Sequence, residues 1–401
     1  MSYPEAKIRI ENLIKIYGDN CRPALKLFWK GANREAILQA TGQILGIADV
    51  SFTIHQGEVF VVMGLSGSGK STLLRCINRL IAPTSGHIYI DDEDITHVDE
   101  KRIRQIRRTK VSMVFQHFGL FPHRTVADNV EYGLKLRGMS KTQRRRKALE
   151  TLEVVGLAQW ADNQPSALSG GMQQRVGLAR ALATDAEILL MDEPFSALDP
   201  LTRREMQNEL LRLQKELNKT IVFISHDTQE AMKLGDRIAV MKEGVIVQLG
   251  TPQELLNQPT NDYIRGFIQD LNRGQILKTG TIARQTISLI LGQDSDRVAL
   301  KQIQSQNLQR IYVLNPLGEP VGFVEPQQLD LAIQQEVKDI TKLMQTNFSK
   351  VEAQVPLEDI FHFYGNEQSL VVVDETGKFK GVLEQADVLA SLSKKSSGAF
   401  D

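Results

Sequence analysis

The sequence predicts an α/β domain followed by a smaller, duplicated α+β domain, on three observations. From about Lys7 to Leu249, short apolar runs alternate with segments of helical period, the pattern of a sheet with crossover helices. A glycine-rich turn separates one of these runs from the helical segment after it. Beyond a boundary near Asn272, a strand–turn–strand text occurs twice, at Ile311 to Val324 and Leu370 to Leu383, with Gly318 and Gly377, and Gly322 and Gly381, each 59 positions apart. Equal offsets mean one duplicated unit, whose halves pack together because neither buries its apolar face alone. The expected domains are therefore 1–272, with a helical subdomain at about 117–168, then 273–335 and 336–395, and a tail at 396–401.

Composition agrees and excludes several classes. A chain of 401 residues with 42% hydrophobic, 24% charged and 6% aromatic residues is ordinary globular protein, long enough for two or three domains. Lys+Arg 48 against Asp+Glu 48 leaves no net charge, so no global basic field points to nucleic acid. The two cysteines, Cys21 and Cys76, cannot build a disulfide framework or a four-thiolate metal site, which fits a reducing compartment. Met1 to Ile10 has scattered charges and no secretory pattern, and no apolar run reaches the ~18 residues of a membrane helix.

Along the chain, Val59 to Met63, Val111 to Phe115, Ile188 to Met191 and Ile221 to Ser225 read as buried strands. Ser140 with Gln143 reads as a capping box opening a helix through Val155, stopped by Gly156. Thr251 and Pro252 start a helix expected to lead out of the first domain toward Arg273.

The run Gly64-Leu65-Ser66-Gly67-Ser68-Gly69-Lys70-Ser71, with Thr72 next, fits G-x-x-x-x-G-K-[ST], after a strand and before a helix whose apolar face is Leu73, Leu74, Ile77 and Ile81. Backbone N–H groups of the loop and the helix amino end then converge on one point, which suits phosphate. Glycines let the main chain approach it; Lys70 can reach the β and γ phosphates of a nucleotide, and Ser71 can ligate Mg²⁺.

The strand from Ile188 ends in Asp192 and Glu193, and the strand from Ile221 is followed by His226. These are carboxyl edges, where α/β sheets place ligands. Asp192 is suited to hold Mg²⁺ through water, and Glu193 to polarise the water that attacks the γ phosphorus. An isolated histidine is more often structural, but at this strand end His226 is positioned for the γ phosphate.

Leu168-Ser169-Gly170-Gly171-Met172-Gln173, before a helical run from Gln174 to Ala183, resembles the signature motif of ATP-binding cassette (ABC) ATPases. A serine, two glycines and a helix amino end make an anion site, yet one that cannot fold back on its own phosphate loop. The resemblance implies head-to-tail homodimers, with Ser169, Gly170, Gly171 and Gln173 contacting the partner copy's nucleotide and Ser196 to Asp199 linking the two sites. It also implies that Gln116 senses Mg²⁺ and the transport partner, and that Tyr17 stacks on adenine, although an aromatic there can equally be ordinary core.

More narrowly, the chain is similar over nearly its whole length to the ATPase subunits of bacterial glycine betaine/proline importers. Three features carry this: an insertion from about Asp19 to Asp49, the wording of MGLSGSGKST, FQHFGLFPHRTV and LSGGMQQRVGLARAL, and a carboxyl part resembling a tandem pair of CBS modules. The resemblance implies transmembrane permease partners, peripheral attachment at the cytoplasmic face of the plasma membrane, and a regulatory CBS pair; a brace for dimerisation is the alternative for that pair. Importers of methionine or a polyamine remain rivals, and a non-transport ABC ATPase is a more distant one.

One departure stands out. CBS modules that bind adenosine ligands place Ser or Thr after the last strand's glycine and Asp three residues later; here Gly322 is followed by Glu325 and Gln328, and Gly381 by Glu384 and Asp387. A carboxylate repels phosphate, which speaks against an adenine nucleotide, above all in the first module. The basic clusters Arg102–Lys110 and Arg144–Lys147 read as solvated helix faces or as contacts to anionic lipid. Phe118, Leu120 and Phe121, beside Gln116, read as a groove for a permease helix or as packing of the helical subdomain.

Overall fold

The computed structural model describes residues 5–116, 119–269, 271–291, 310–325, 328, 341, 344–365 and 369–393. The expected tail at 396–401, Phe118 and the first four residues of the chain lie outside them. The chain divides into two compact units, Met1–Ile268 and Gln269–Asp401. Asn272, the expected boundary, lies just inside the second unit, where it caps a helix by accepting from the Gly274 N–H at 3.0 Å.

The first unit opens with β1 (Ala6–Tyr17), α1 (Arg22–Trp29), α2 (Arg34–Thr41) and β2 (Ile44–His55), β2 pairing antiparallel with β1. The insertion is thus shorter than expected. Asp49 lies within β2, at φ 55°, and the inserted residues form the pair α1–α2. Ile37 and Ala24 anchor that pair on Ile14, Ile16, Leu45 and Ala48 of the two strands.

Then come β3 (Val59–Met63), α3 (Lys70–Ile77), β4 (Ser85–Ile90), β5 (Glu93–Asp94), α4 (Glu100–Thr109) and β6 (Val111–Val114). Helix α3 stops at Ile77, so the expected Ile81 packs on the core from the turn beyond it. The strands β2-β1-β4-β5 form one sheet.

Next are α5 (Val126–Leu136), α6 (Lys141–Val154) and α7 (Gly170–Ala183), which pack on one another as a helical layer. Ser140 caps α6 by accepting from the Gln143 N–H, but the reciprocal half of the expected capping box is not formed. The chain continues through β7 (Ile188–Asp192), α8 (Pro200–Leu217), β8 (Thr220–Ser225), α9 (Thr228–Leu234), β9 (Arg237–Lys242) and β10 (Val245–Gly250).

The second sheet runs β10-β9-β3-β8-β7-β6, parallel except for β10. Every residue of β3, β7 and β8 is buried, which is why these strands are continuous apolar runs rather than alternating ones. Phe60, Val62, Leu190, Val222 and Ile224 join Ile8, Ile10, Leu73 and Leu74 in one core. That core fixes α3 and the carboxyl ends of β3, β7 and β8 as a rigid frame.

Where one helix was expected after Thr251, there are two: α10 (Pro252–Asn257), with a full Thr251–Glu254 capping box, and α11 (Asp262–Ile268). Pro259 stands in the break, where it disfavours helical backbone at the preceding residue.

The second unit contains α12 (Arg273–Ile276), α13 (Thr279–Ile282), β11 (Ser288–Ile290), β12 (Ile311–Leu314), β13 (Pro320–Val324), β14 (Lys350–Glu352), β15 (Ser369–Val373), β16 (Phe379–Glu384) and α14 (Gln385–Ser393). The sheets β11-β12-β13 and β14-β15-β16 repeat one topology, a parallel pair followed by an antiparallel hairpin. Tyr312 and Phe323 of the first pack with Val371, Val373 and Val382 of the second in a single apolar cluster.

Candidate functional site

The loop between β3 and α3 follows the chain's steric rules. Gly64 at φ 153° and Gly69 at φ 103° occupy backbone that side chains rarely adopt; an added Cβ would lie 2.2 Å from the Met241 carbonyl oxygen at Gly64 and 2.5 Å from that of Gly46 at Gly69. At Gly67 the same atom would meet nothing within 4 Å, so the loop's outer face is open. Ser68 Oγ is buried with no hydrogen-bond partner. Lys70 Nζ donates to the loop's own carbonyls, Gly64 O at 2.8 Å and Leu65 O at 3.0 Å. Burial lowers the Lys70 pKa, with Glu193 and Asp192 opposing. An orphaned hydroxyl, an ammonium and an open glycine surface fit an anion with several oxygens.

Around this loop, Tyr17, Ser66, Gly67, Gly69, Lys70, Ser71, Thr72, Gln116, Glu193 and His226 line one cleft of about 490 Å³. Tyr17 is joined to Thr72 by a 2.9 Å contact between hydroxyls. Ser71 Oγ donates to Asp192 Oδ1 at 2.9 Å, and Arg75 reaches the other oxygen at 3.9 Å. Burial pushes the Asp192 carboxyl up; Ser71 and Arg75 hold it down. Ser71 Oγ, a carboxylate and the Gln116 amide are the hard oxygen donors that suit Mg²⁺. Among the described residues no group of three or more His, Cys, Asp and Glu side chains converges on a metal position, so the ion would take further ligands from phosphate and water.

Glu193 sits at φ 49°, a costly conformation for a large side chain. It is held there from several sides: Glu193 N–H donates to Ile224 O at 3.2 Å, and its carbonyl accepts from Gln174 Nε2 at 3.1 Å and Ser196 Oγ at 3.0 Å. Its Oε2 meets both Gln116 Nε2 and His226 Nδ1 at 3.1 Å. Gln116 and His226, distant in sequence, thus converge on one carboxylate, while Gln174, Ser196 and Ile224 hold its backbone. Gln174, 1% exposed, was not singled out by the sequence; its Oε1 also accepts from Ala197 N–H at 3.1 Å, tying α7 to the loop after Glu193. Arg34, Ile44 and Gly46 also line the cleft and carry no motif that would have marked them.

Ser169, Gly170, Gly171, Gln173 and Asp199 are absent from the cleft lining. Ser169 caps α7, which begins at Gly170 rather than near Gln174, by accepting from Met172 N–H at 3.3 Å. Gln173 Nε2 donates to Pro165 O at 3.0 Å and Leu168 O at 3.2 Å. Asp199 caps α8, accepting from Thr202 N–H at 3.1 Å. The Gly170 surface is open.

The remaining sequence candidates resolve locally. Arg102 pairs with Glu93, Lys110 with Asp91, Arg144 with Glu131 and Arg145 with Asp162, so much of both basic clusters is neutralised within the fold. Phe121 packs on Tyr132 at 4.6 Å with Arg124 over both rings. Asp387 is buried and ion-paired with Arg284. Cys21 and Cys76 are free, and burial pushes the Cys76 thiol up to about 12.

Ser169–Gln173 thus lies outside the cleft around the phosphate loop of its own chain, and a glycine-rich loop, an acidic strand end and a separate Ser-Gly-Gly helix start together make the arrangement of an ABC-type ATPase. The ABC transporter family matches residues 47–196, and the CBS domain family matches residues 337–394. The chain is 43% identical to the glycine betaine/carnitine transport ATP-binding protein GbuA of Listeria monocytogenes over 388 residues, 97% of this chain and 98% of that protein. It is 45% identical to the glycine betaine/proline betaine transport system ATP-binding protein ProV of Escherichia coli K12 over 393 residues, 97% and 98% of the two chains. With the trimethylamine N-oxide transport system ATP-binding protein TmoW of Ruegeria pomeroyi it shares 50% identity over 277 residues, 69% of this chain and 81% of that one. A dimeric ATP-binding cassette, MJ0796, bound to ADP and phosphate superimposes with a TM-score of 0.54 at 35% identity, covering 61% of this chain and 98% of that chain. This chain therefore belongs to the ATP-binding proteins of ABC transporters, and it is an ABC-type ATPase with a carboxyl-terminal CBS domain.

Proposed function

We propose that this chain is the ATP-hydrolysing subunit of an importer for glycine betaine and related quaternary amines. The observation that carries the reading is near-full-length identity of 43–45% to transport ATP-binding proteins named for glycine betaine. It spans the α1–α2 insertion and the second unit as well as the cassette.

In this reading, two copies pair head to tail as a homodimer, each nucleotide lying between one copy's phosphate loop and the other's Ser169, Gly170, Gly171 and Gln173, with Asp199 on the loop joining the two sites. Lys70 and the N–H groups of Gly64 to Ser71 hold the phosphates, Tyr17 the adenine, and Ser71, Asp192 and Gln116 the Mg²⁺, which supplies charge neutralisation. Glu193 accepts a proton from water as its oxygen bonds to the γ phosphorus and the bond to the β-phosphate oxygen breaks; His226 stabilises the charge on the γ phosphate.

Closure of the dimer is passed through the Gln116 region to permease subunits, at the cytoplasmic face of the plasma membrane. In this reading the pore is formed by those partners; among the described residues of this chain no helix is long and apolar enough to cross a membrane. The two halves of the second unit, 273–335 and 336–395, act as a tandem CBS pair that regulates transport. The Arg284–Asp387 pair argues against ribose at Asp387.

The test is uptake of labelled glycine betaine in cells lacking the gene. Uptake falls at least tenfold and returns with the wild-type gene, whereas methionine and polyamine uptake is unchanged. Intact betaine uptake would overturn the proposed cargo.

A further inference from the structure

One charged residue of the cleft comes from outside the cassette motifs. Arg34 is the first residue of α2, and Asn33 ahead of it caps that helix by accepting from Ala36 N–H at 2.9 Å. The pair α1–α2 is fixed on β1 and β2 through Ile37, which is fully buried. That anchoring carries the guanidinium to the lip of the phosphate loop, where Nη1 donates to the Gly67 carbonyl at 3.3 Å. The bond is long and uses one of five N–H donors. No carboxylate pairs with Arg34 among the described residues, in contrast to Arg102, Arg144 and Arg145. Lys70, which is buried, and Arg34, which is half-buried, line the same cleft, so the two cations border one space.

We propose that Arg34 binds the phosphates of the nucleotide held by its own chain, making the α1–α2 insertion a part of the nucleotide site. A guanidinium is weakly hydrated, always charged and matched to phosphate oxygens through paired N–H groups. The inference rests on reading the cleft as the ATP site. The rival is structural: Arg34 merely ties the insertion to Gly67.

Full-length protein, Arg34→Ala, Arg34→Gln and Lys70→Ala are compared by equilibrium dialysis with labelled ATP, ADP and adenosine, with thermal melting as a check on folding. Arg34→Gln keeps an N–H donor for Gly67 and loses the charge. The expected result is that both Arg34 variants bind ATP about 5- to 20-fold more weakly, ADP similarly or less so, and adenosine within about twofold of wild type. Wild-type ATP affinity in Arg34→Gln, or an equal loss for adenosine, overturns the proposal. Lys70→Ala separates the two readings. If it loses ATP binding while the Arg34 variants do not, the role of Arg34 fails alone; if it binds ATP normally, the cleft is not the nucleotide site and both fail.

Discussion

Ser71 and Asp192 stand 121 positions apart in the chain and are joined by a 2.9 Å hydrogen bond from Oγ to Oδ1. The first lies in the opening turn of α3 and the second closes β7, so the bond ties the phosphate loop to the acidic strand end. Asp192 is 1% exposed, and a buried carboxylate is costly without partners; Ser71, with Arg75 at 3.9 Å, offsets that cost before any ion binds.

If Ser71 holds Mg²⁺ as proposed, Ser71→Ala removes one oxygen ligand and leaves the Asp192 carboxylate with Arg75 at 3.9 Å. The Mg²⁺ concentration for half-maximal ATP hydrolysis rises about tenfold or more, equivalent to about 1.4 kcal/mol. A magnesium titration of activity at saturating ATP reads this directly, and an unchanged midpoint excludes Ser71 as a ligand.

Glu193→Gln keeps the size of the side chain and removes its basicity. Steady hydrolysis drops by about 10²-fold or more while ATP binding stays within about threefold of wild type. Phosphate release and nucleotide dialysis, run side by side, check both halves; normal turnover means another group takes the proton.

Tyr17 has a ring that faces the cleft and a hydroxyl that meets Thr72. Tyr17→Phe keeps the ring, and its KM for ATP stays within about twofold. Tyr17→Ala loses the stacking surface and raises KM about tenfold, in line with ~1–3 kcal/mol for a base on an aromatic. Equal KM values for the two variants would assign Tyr17 to packing alone.

A site shared between two copies makes the specific activity depend on protein concentration. Activity per milligram rises with concentration to a plateau, and Gly170→Asp, which puts a carboxylate on the open face of α7, abolishes hydrolysis without changing ATP binding to the single chain. Concentration-independent activity in a protein that sediments as a monomer contradicts the half-site.

Glu230, buried in α9, accepts from Ser225 Oγ and from Gln207 Nε2. Burial pushes its carboxyl above the ordinary 4.5, against both hydrogen bonds, with Asp227 adding to the rise. The folded state therefore holds this proton at a pH where the unfolded chain has released it, and this group's contribution to stability declines as pH rises from about 4.5 through the raised value. Glu230→Gln melts higher than wild type at pH 7, and the gain vanishes below pH 4.5. A gain that persists at pH 4 would show a packing effect instead.

The sequence made the phosphate loop legible because Gly64 to Ser71 is a local solution to a local problem: backbone approach to an anion needs glycines at fixed spacing. The buried strands were legible for the same kind of reason, since β3, β7 and β8 lose solvent on both faces and show it as unbroken apolar text. Where helices stop was less visible. The break between α10 and α11 and the start of α7 at Gly170 depend on caps and a proline, whose effect is set by what lies above and below them in the fold.

Arg34, Ile44, Gly46 and Gln174 were illegible, because each acts through a neighbour remote in the chain. Gln174 holds the carbonyl of Glu193 and the N–H of Ala197, and nothing in the residues beside Gln174 announces either partner. The amino-acid sequence by itself determined which polar groups this protein places on its glycine-rich loop and at the ends of β7 and β8, since those residue types sit at set intervals on a loop or a strand edge. Only the tertiary structure decided that Gln116 and His226 meet at the Glu193 carboxylate, that Ser169 to Gln173 stay out of the cleft lining, and that an inserted helix pair brings an arginine into it. Those meetings follow from packing around a shared core, where the position of each side chain is fixed by elements far from it in sequence.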